Sequence, residues 1–238
     1  MLKPSLEKVK ALAKQYNTIP VFYEFSADNQ TPLNIYTALS KDSRNSFILE
    51  SVSNGVQWDR YSFVGVSPKE EICITGNTAE IRTGDKIETK EVEQPIAFLK
   101  ERMAAYRSPV LEGAPNFTGG LIGYFGYDTV RYMEKKLTHV PEDDIHMPDC
   151  HLFLYEELLA YDHLTSNGIV ILNLHTDGDL GAQYAAAQWR AEELADIVRH
   201  YNPQPQVRQH HGEAVVRSNL TKEQYSQMVR DAKEYIRN

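Results

Sequence analysis

The chain has 238 residues, with 33 Asp or Glu against 25 Lys or Arg, for a net charge of −8 with histidine neutral. An acidic surface repels phosphate backbones, which argues against a general nucleic-acid binder. No run approaches the roughly 20 apolar residues that span a bilayer, and the start, Met1-Leu2-Lys3-Pro4-Ser5, has no apolar export core. Two cysteines, Cys73 and Cys150, are too few for a disulfide framework. Both lie in strand-like apolar runs and read as reduced core thiols of a cytoplasmic protein.

In chain order, Ser5 caps a predicted helix with apolar positions Leu6, Val9, Leu12, Ala13 and Tyr16. Ile19–Phe25 is β-branched and aromatic and reads as a strand. Thr31-Pro32 opens a short helix through Leu39. Phe47–Ser51, Arg60–Gly65 and Glu71–Thr75 are short strand candidates. Ala79–Thr83 and Lys86–Lys90 alternate around Gly84-Asp85, a strong hairpin signal. Gln94-Pro95 opens a helix with Ile96, Phe98, Leu99 and Met103 inward. Phe117–Gly126 reads as a glycine-rich strand, followed by a helix-like Tyr127–Glu134. Leu152–His163 is the longest predicted strand, and Ser166-Asn167-Gly168 turns it back into Ile169–His175. Gly181–Arg199 reads as a helix.

Hairpins with helices between groups of strands point to an α+β fold. Residues 1–201 form the predicted domain, and 202–217, with Pro203, Pro205 and little apolar content, read as a linker. Thr221-Lys-Glu-Gln224 is a capping box for a helix whose stripe is Tyr225, Met228, Val229, Ala232 and Ile236. That helix either folds back on the domain or opens a further domain.

Catalytic signatures are sparse. The glycines of Phe117–Gly126 alternate with Leu121, Ile122, Tyr124 and Phe125, so close packing explains them better than phosphate binding. Asp162-His163, and His139 beside the acidic run Pro141–Asp144, have the composition of acid/base pairs but no serine or cysteine elbow to serve. His146, His210 and His211 lack metal-site spacing. Glu50 follows Phe47-Ile48-Leu49 in a run that reads as buried. A carboxylate there needs a cation. Arg60, which begins the next predicted strand, is the obvious internal partner; the alternative is a small amphoteric ligand, with Glu50 on its ammonium and Arg60 on its carboxylate.

Phe47-Ile-Leu-Glu-Ser51 followed by Arg60-Tyr-Ser-Phe-Val-Gly65 resembles the N-terminal domain of anthranilate synthase component I. Phe117-Thr-Gly-Gly-Leu-Ile-Gly-Tyr-Phe-Gly-Tyr-Asp-Thr-Val-Arg131 and the stretch from Pro148-Asp149 to Asp162-His163 agree in order. The resemblance covers nearly the whole chain. It implies antiparallel sheets packed as a sandwich with helices outside, and an enzyme that makes anthranilate from chorismate and glutamine or ammonia for tryptophan biosynthesis. It implies that Glu50, Ser51 and Arg60 bind L-tryptophan as feedback inhibitor. It further implies a glutamine amidotransferase partner, component II. The family's acid/base residues and Mg²⁺-binding glutamates lie in a C-terminal chorismate-binding domain. On this reading residues 218–238 are that domain's first helix and the remainder is missing, so no catalytic or metal residue is expected here and the chain alone is expected to be inactive. Two other readings stay open: a fragment of the folate-pathway aminodeoxychorismate synthase component I, and a stand-alone non-catalytic binding domain.

Overall fold

The computed structural model describes residues 1–50, 60–134, 136–137, 142–203 and 217–237. Helices and strands alternate in groups. They are α1 (Leu6–Leu12), β1 (Thr18–Ser26), α2 (Pro32–Leu39), β2 (Ser46–Leu49), β3 (Tyr61–Val66), β4 (Glu70–Thr75), β5 (Thr78–Thr83), β6 (Lys86–Glu91) and α3 (Pro95–Ala104). Then follow β7 (Gly120–Phe125), a 3₁₀ helix (Tyr127–Tyr132), β8 (Cys150–Tyr155), β9 (Glu157–Asp162), β10 (Asn167–His175) and α4 (Leu180–Arg199). The helix starts follow the local chemistry: Ser5 Oγ accepts from Lys8 N, Thr31 Oγ1 from Asn34 N, and Asp179 Oδ1 from Gly181 N and Ala182 N.

The strands make two five-stranded antiparallel sheets. The first has the order β1-β10-β9-β3-β2 and the second β6-β5-β4-β8-β7. The α+β class and the antiparallel sheets are as the sequence predicts. One face of the first sheet carries Val21, Val64, Leu159 and Val170 against α1, α2 and α4, where Val9, Ile35, Ala191 and Val198 complete a buried cluster. Its other face carries Phe22, Leu158, Ala160 and Ile171, packed with Tyr155, Phe153, Ile122 and Phe117. Edge-to-face contacts of Phe47 with Tyr155 and of Phe63 with Phe117 fasten this layer. The second sheet buries Ile72, Ile74, Ala79, Ile81 and Leu152 beside Leu99 of α3.

Two expectations are corrected. The run Leu152–His163 is not one strand: it breaks at Glu156, and β8 and β9 lie in different sheets. Polar demands at the break explain it. Glu156 O accepts from Asn173 N and Nδ2, and its carboxylate meets Lys69 Nζ at 2.8 Å and His175 Nε2 at 2.9 Å. The cysteines are both free, but only Cys150 is buried; burial pushes its thiol up to about 11. Cys73, on the same strand as Ile72 and Ile74, faces the other way and is half-buried.

Met1–Asn202 form one compact unit and Pro203–Asn238 another. In the second unit α5 (Lys222–Arg237) is opened by the expected capping box: Gln224 N donates to Thr221 Oγ1 and Thr221 N to Gln224 Oε1. The predicted linker, apart from Asn202, Pro203 and Arg217, lies outside the described residues.

Candidate functional site

The hairpin partners β2 and β3 place the predicted site residues. Leu49 pairs with Phe63, so Glu50 stands one residue beyond the end of the β2 ladder. β2 is an edge strand whose residues are only half-buried, and Leu49 itself is 45% exposed. Glu50 is accordingly exposed and has no hydrogen bond or ion pair with a described residue. The expectation of a buried Glu50, and with it a Glu50–Arg60 ion pair, is therefore corrected: an edge strand covered from one side leaves its end in water. Ser51 lies outside the described residues.

Arg60, at the start of β3, instead grips Asp162 at the end of β9. Nε donates to Oδ1 at 3.0 Å and Nη2 to Oδ2 at 2.7 Å. The ladder fixes this meeting, because Tyr61 pairs with Asp162 across β3 and β9. Asp162 is 2% exposed. Burial pushes its carboxyl up, but the Arg60 fork, the Leu164 N–H at 3.0 Å and the Thr165 side chain outweigh burial and hold it below the usual carboxylate range. The Asp162 bond raises the Arg60 guanidinium in turn, and the guanidinium lies 5.0 Å from the centre of the Tyr61 ring. Nε and one Nη2 proton serve Asp162; the Nη1 protons have no acceptor among the described residues.

The neighbouring residues divide differently from an acid/base dyad. His163 turns to Ser62, with Nε2 and Oγ 2.8 Å apart, while Asp162 serves Arg60. Asp162 thus does not orient His163. Beside the Arg60–Asp162 fork a cleft of about 340 Å³ opens over Phe22, Tyr61, Leu111 and Ile169, with Lys8 and Glu112 on its wall. Its size and its apolar floor with charged walls suit a small organic molecule. The fork and the cleft were not legible in advance as a unit, because Asp162 and Leu111 are far from Arg60 in the chain.

The glycine-rich strand packs as predicted from its glycines. A Cβ on Gly123 would lie 2.0 Å from the His151 carbonyl oxygen of β8. His146 is exposed near Asp143, while His139, His210 and His211 lie outside the described residues. Among the described residues no three His, Cys, Asp or Glu side chains converge as a metal site. No helix of the described residues is long and apolar enough to cross a membrane.

A family model described as chorismate binding enzyme matches residues 59–238. The chain belongs to the chorismate-binding enzyme family. Anthranilate synthase component 1 of Acetivibrio thermocellus is 36% identical over 100% of this chain and 49% of its own length. That of Pseudomonas aeruginosa is 35% identical over 97% of this chain and 47% of its own. The chain spans about half the length of these curated relatives. The crystal structure of anthranilate synthase component I from Streptococcus pneumoniae shares the fold, with a TM-score of 0.50 at 23% identity over 89% of this chain and 44% of that one.

The family match overturns one expectation, that this chain stops before the chorismate-binding part. The match begins just ahead of β3 and runs through both sheets to α5. The matched stretch consists largely of strands and helices whose pattern is set by packing, and no acid/base or metal signature in the sequence marks it.

Proposed function

We propose that this chain carries the tryptophan-sensing part of an anthranilate synthase component I, in which Glu50, Ser51 and Arg60 hold the amino-acid head group. The curated relatives of that name support the activity assigned to the intact protein. The observation that carries the site is the contrast between its two charged residues. Glu50 is exposed and has no described partner, so its carboxylate is available to an ammonium. Arg60 is held in place by a buried carboxylate and keeps its Nη1 donors for a ligand carboxylate. A charge-assisted bond at each end fixes a zwitterion in one orientation. The intact protein takes chorismate as substrate and works with a glutamine amidotransferase, component II. Mg²⁺ belongs to the same reading of the intact enzyme, but no ligand set for it is drawn from the described residues of this chain.

The test is the inhibition of anthranilate formation by tryptophan in the intact protein that carries this chain. Losing one charge-assisted hydrogen bond costs about 1.5–3 kcal/mol, or roughly ten- to 150-fold in affinity. Glu50→Gln is expected to raise the inhibitory tryptophan concentration by that factor, with uninhibited turnover and melting temperature unchanged. Unchanged tryptophan sensitivity would remove Glu50 from the site.

A further inference from the structure

Among the described strands the chain passes between the sheets at two points, and one cluster of polar side chains joins them. Residues 67–69 lead from β3 to β4, and Glu156 leads from β8 to β9. Lys69 Nζ lies 2.8 Å from Glu156 Oε1 and 3.1 Å from Nε2 of His175, the last residue of β10. His175 Nε2 lies 2.9 Å from the same Glu156 oxygen, which closes a triangle.

Protons decide which sides of the triangle are hydrogen bonds. An ammonium only donates, a carboxylate only accepts, and an imidazole nitrogen does one or the other. With His175 neutral and its proton on Nδ1, Lys69 donates to both Oε1 and Nε2. With His175 protonated, Nε2 donates to Oε1 and stands 3.1 Å from a second cation, the Lys69 ammonium.

Lys69 is the member that can yield. Glu156 O is held by Asn173 N and Nδ2. Gln183 of α4 clamps the His175 backbone, with His175 N donating to Oε1 and Nε2 donating to His175 O, both at 2.8 Å. Lys69 has a long flexible stem, and its side chain is the most exposed of the three at 38%. The other groups facing the cluster do not compete. Tyr106, after α3, meets the His175 ring edge-to-face and lies 5.7 Å from Lys69 Nζ; burial pushes its hydroxyl up, so it stays uncharged. Glu70 is taken by Arg102 of α3.

We propose that Lys69, Glu156 and His175 form a proton-operated latch between the two crossings. Neutral His175 holds Lys69 together with Glu156; protonated His175 takes the Glu156 oxygen for itself and releases Lys69 to solvent. The β3–β4 crossing then keeps its backbone bond from Lys69 N to Leu154 O but loses its side-chain tie to the β8–β9 crossing.

The test is a pH titration of the whole chain by nuclear magnetic resonance, following the His175 ring and the Lys69 Cε and Nζ resonances together. The expected result is that the Lys69 signals move to solvent-exposed values with the same midpoint as the His175 ring. Lys69→Met removes the competing cation and is expected to raise the His175 midpoint by about one pH unit, and Glu156→Gln to lower it by a similar amount. His175→Gln is expected to abolish the Lys69 response over the same range. Lys69 signals that stay constant while His175 titrates would overturn the proposal, as would a His175 ring that does not titrate between about pH 5 and 8. The wild-type titration decides the matter even if a variant fails to fold.

Discussion

The two sheets have the same number of strands and the same antiparallel pairing, yet they meet water in opposite ways. In the first sheet β9 and the body of β10 are buried on both faces, which is why Leu158-Leu159-Ala160 and Ile169–Leu172 read as unbroken apolar runs. In the second, β5 alternates from Thr78 to Arg82 and β6, at the edge, is exposed along its whole length. Helices cover one face of the first sheet, and the second sheet with the Leu111–Phe117 segment covers the other. The lesson is that a carboxylate at the end of a doubly covered strand is buried and takes a bidentate partner, although that partner is itself half-exposed. The Arg60–Asp162 fork sits at such an end. On the open side of the second sheet, Glu71, Arg82, Glu80 and His151 pair while half-exposed.

That difference is open to measurement by denaturation at a constant slope against denaturant. The largest effect is expected from truncation in the cores. Ile171→Ala, in a fully buried site of β10, is expected to cost about 2–5 kcal/mol. Ile87→Ala on β6, 48% exposed, is expected to stay within about 0.5 kcal/mol. Equal losses at the two positions would break the comparison.

Next come the ion pairs. Arg60→Met strands the buried Asp162 carboxylate and is expected to cost about 3 kcal/mol, at the lower end for a broken buried pair because Leu164 N–H still serves it. Arg82→Met removes half-exposed pairs with Glu71 and Glu80 and is expected to cost at most about 1 kcal/mol. The same denaturation curves read both.

The second sheet is not slack everywhere, and Gly123 sharpens the point. A methyl group there meets backbone of β8, which cannot swing aside as a side chain end does. Gly123→Ala is expected to destabilise by about 2 kcal/mol through displacement of β7, visible as a lowered melting temperature. A neutral result would mean that β7 shifts freely on its neighbour.

The smallest expected effect is on pH. Asp162 is held below its ordinary range in the folded state, so its contribution is fully present above the unfolded carboxylate value, about 3.9, and is lost as pH falls through the depressed folded value. Asp162→Asn removes that dependence. Its stability is expected to fall less steeply than the wild type's below about pH 4, in melting temperatures taken across the acid range. Parallel acid limbs would take Asp162 out of the titration.

Much of this fold is legible where the signal is local. Ser5, Thr31-Pro32, Gly84-Asp85 and Thr221–Gln224 each fix a cap or a turn through contacts within four residues, and each does so in the structure. The break at Glu156 is not local. No Gly or Pro marks it, and the bonds that hold it come from Asn173, Lys69 and His175. The one available signal is the doublet Glu156-Glu157 inside an apolar run, which a single buried strand does not tolerate. Glu157 finds its partner in Arg190 of α4 at 2.8 Å. The site divides in the same way. Arg60 stands out as a cation at a strand start, but its partner is 102 residues away and is set by the β3–β9 register.

The Glu156 break also governs how the sheets come apart. One stretch of thirteen residues, Cys150 to Asp162, supplies an inner strand to each sheet. Pulling β9 out of its ladder drags on β8, and the reverse holds, so neither sheet has an opening of its own that spares the other. Slow amide exchange in β4 and in β10 therefore shares one limiting free energy, that of global unfolding of Met1–Asn202, instead of two separate ones.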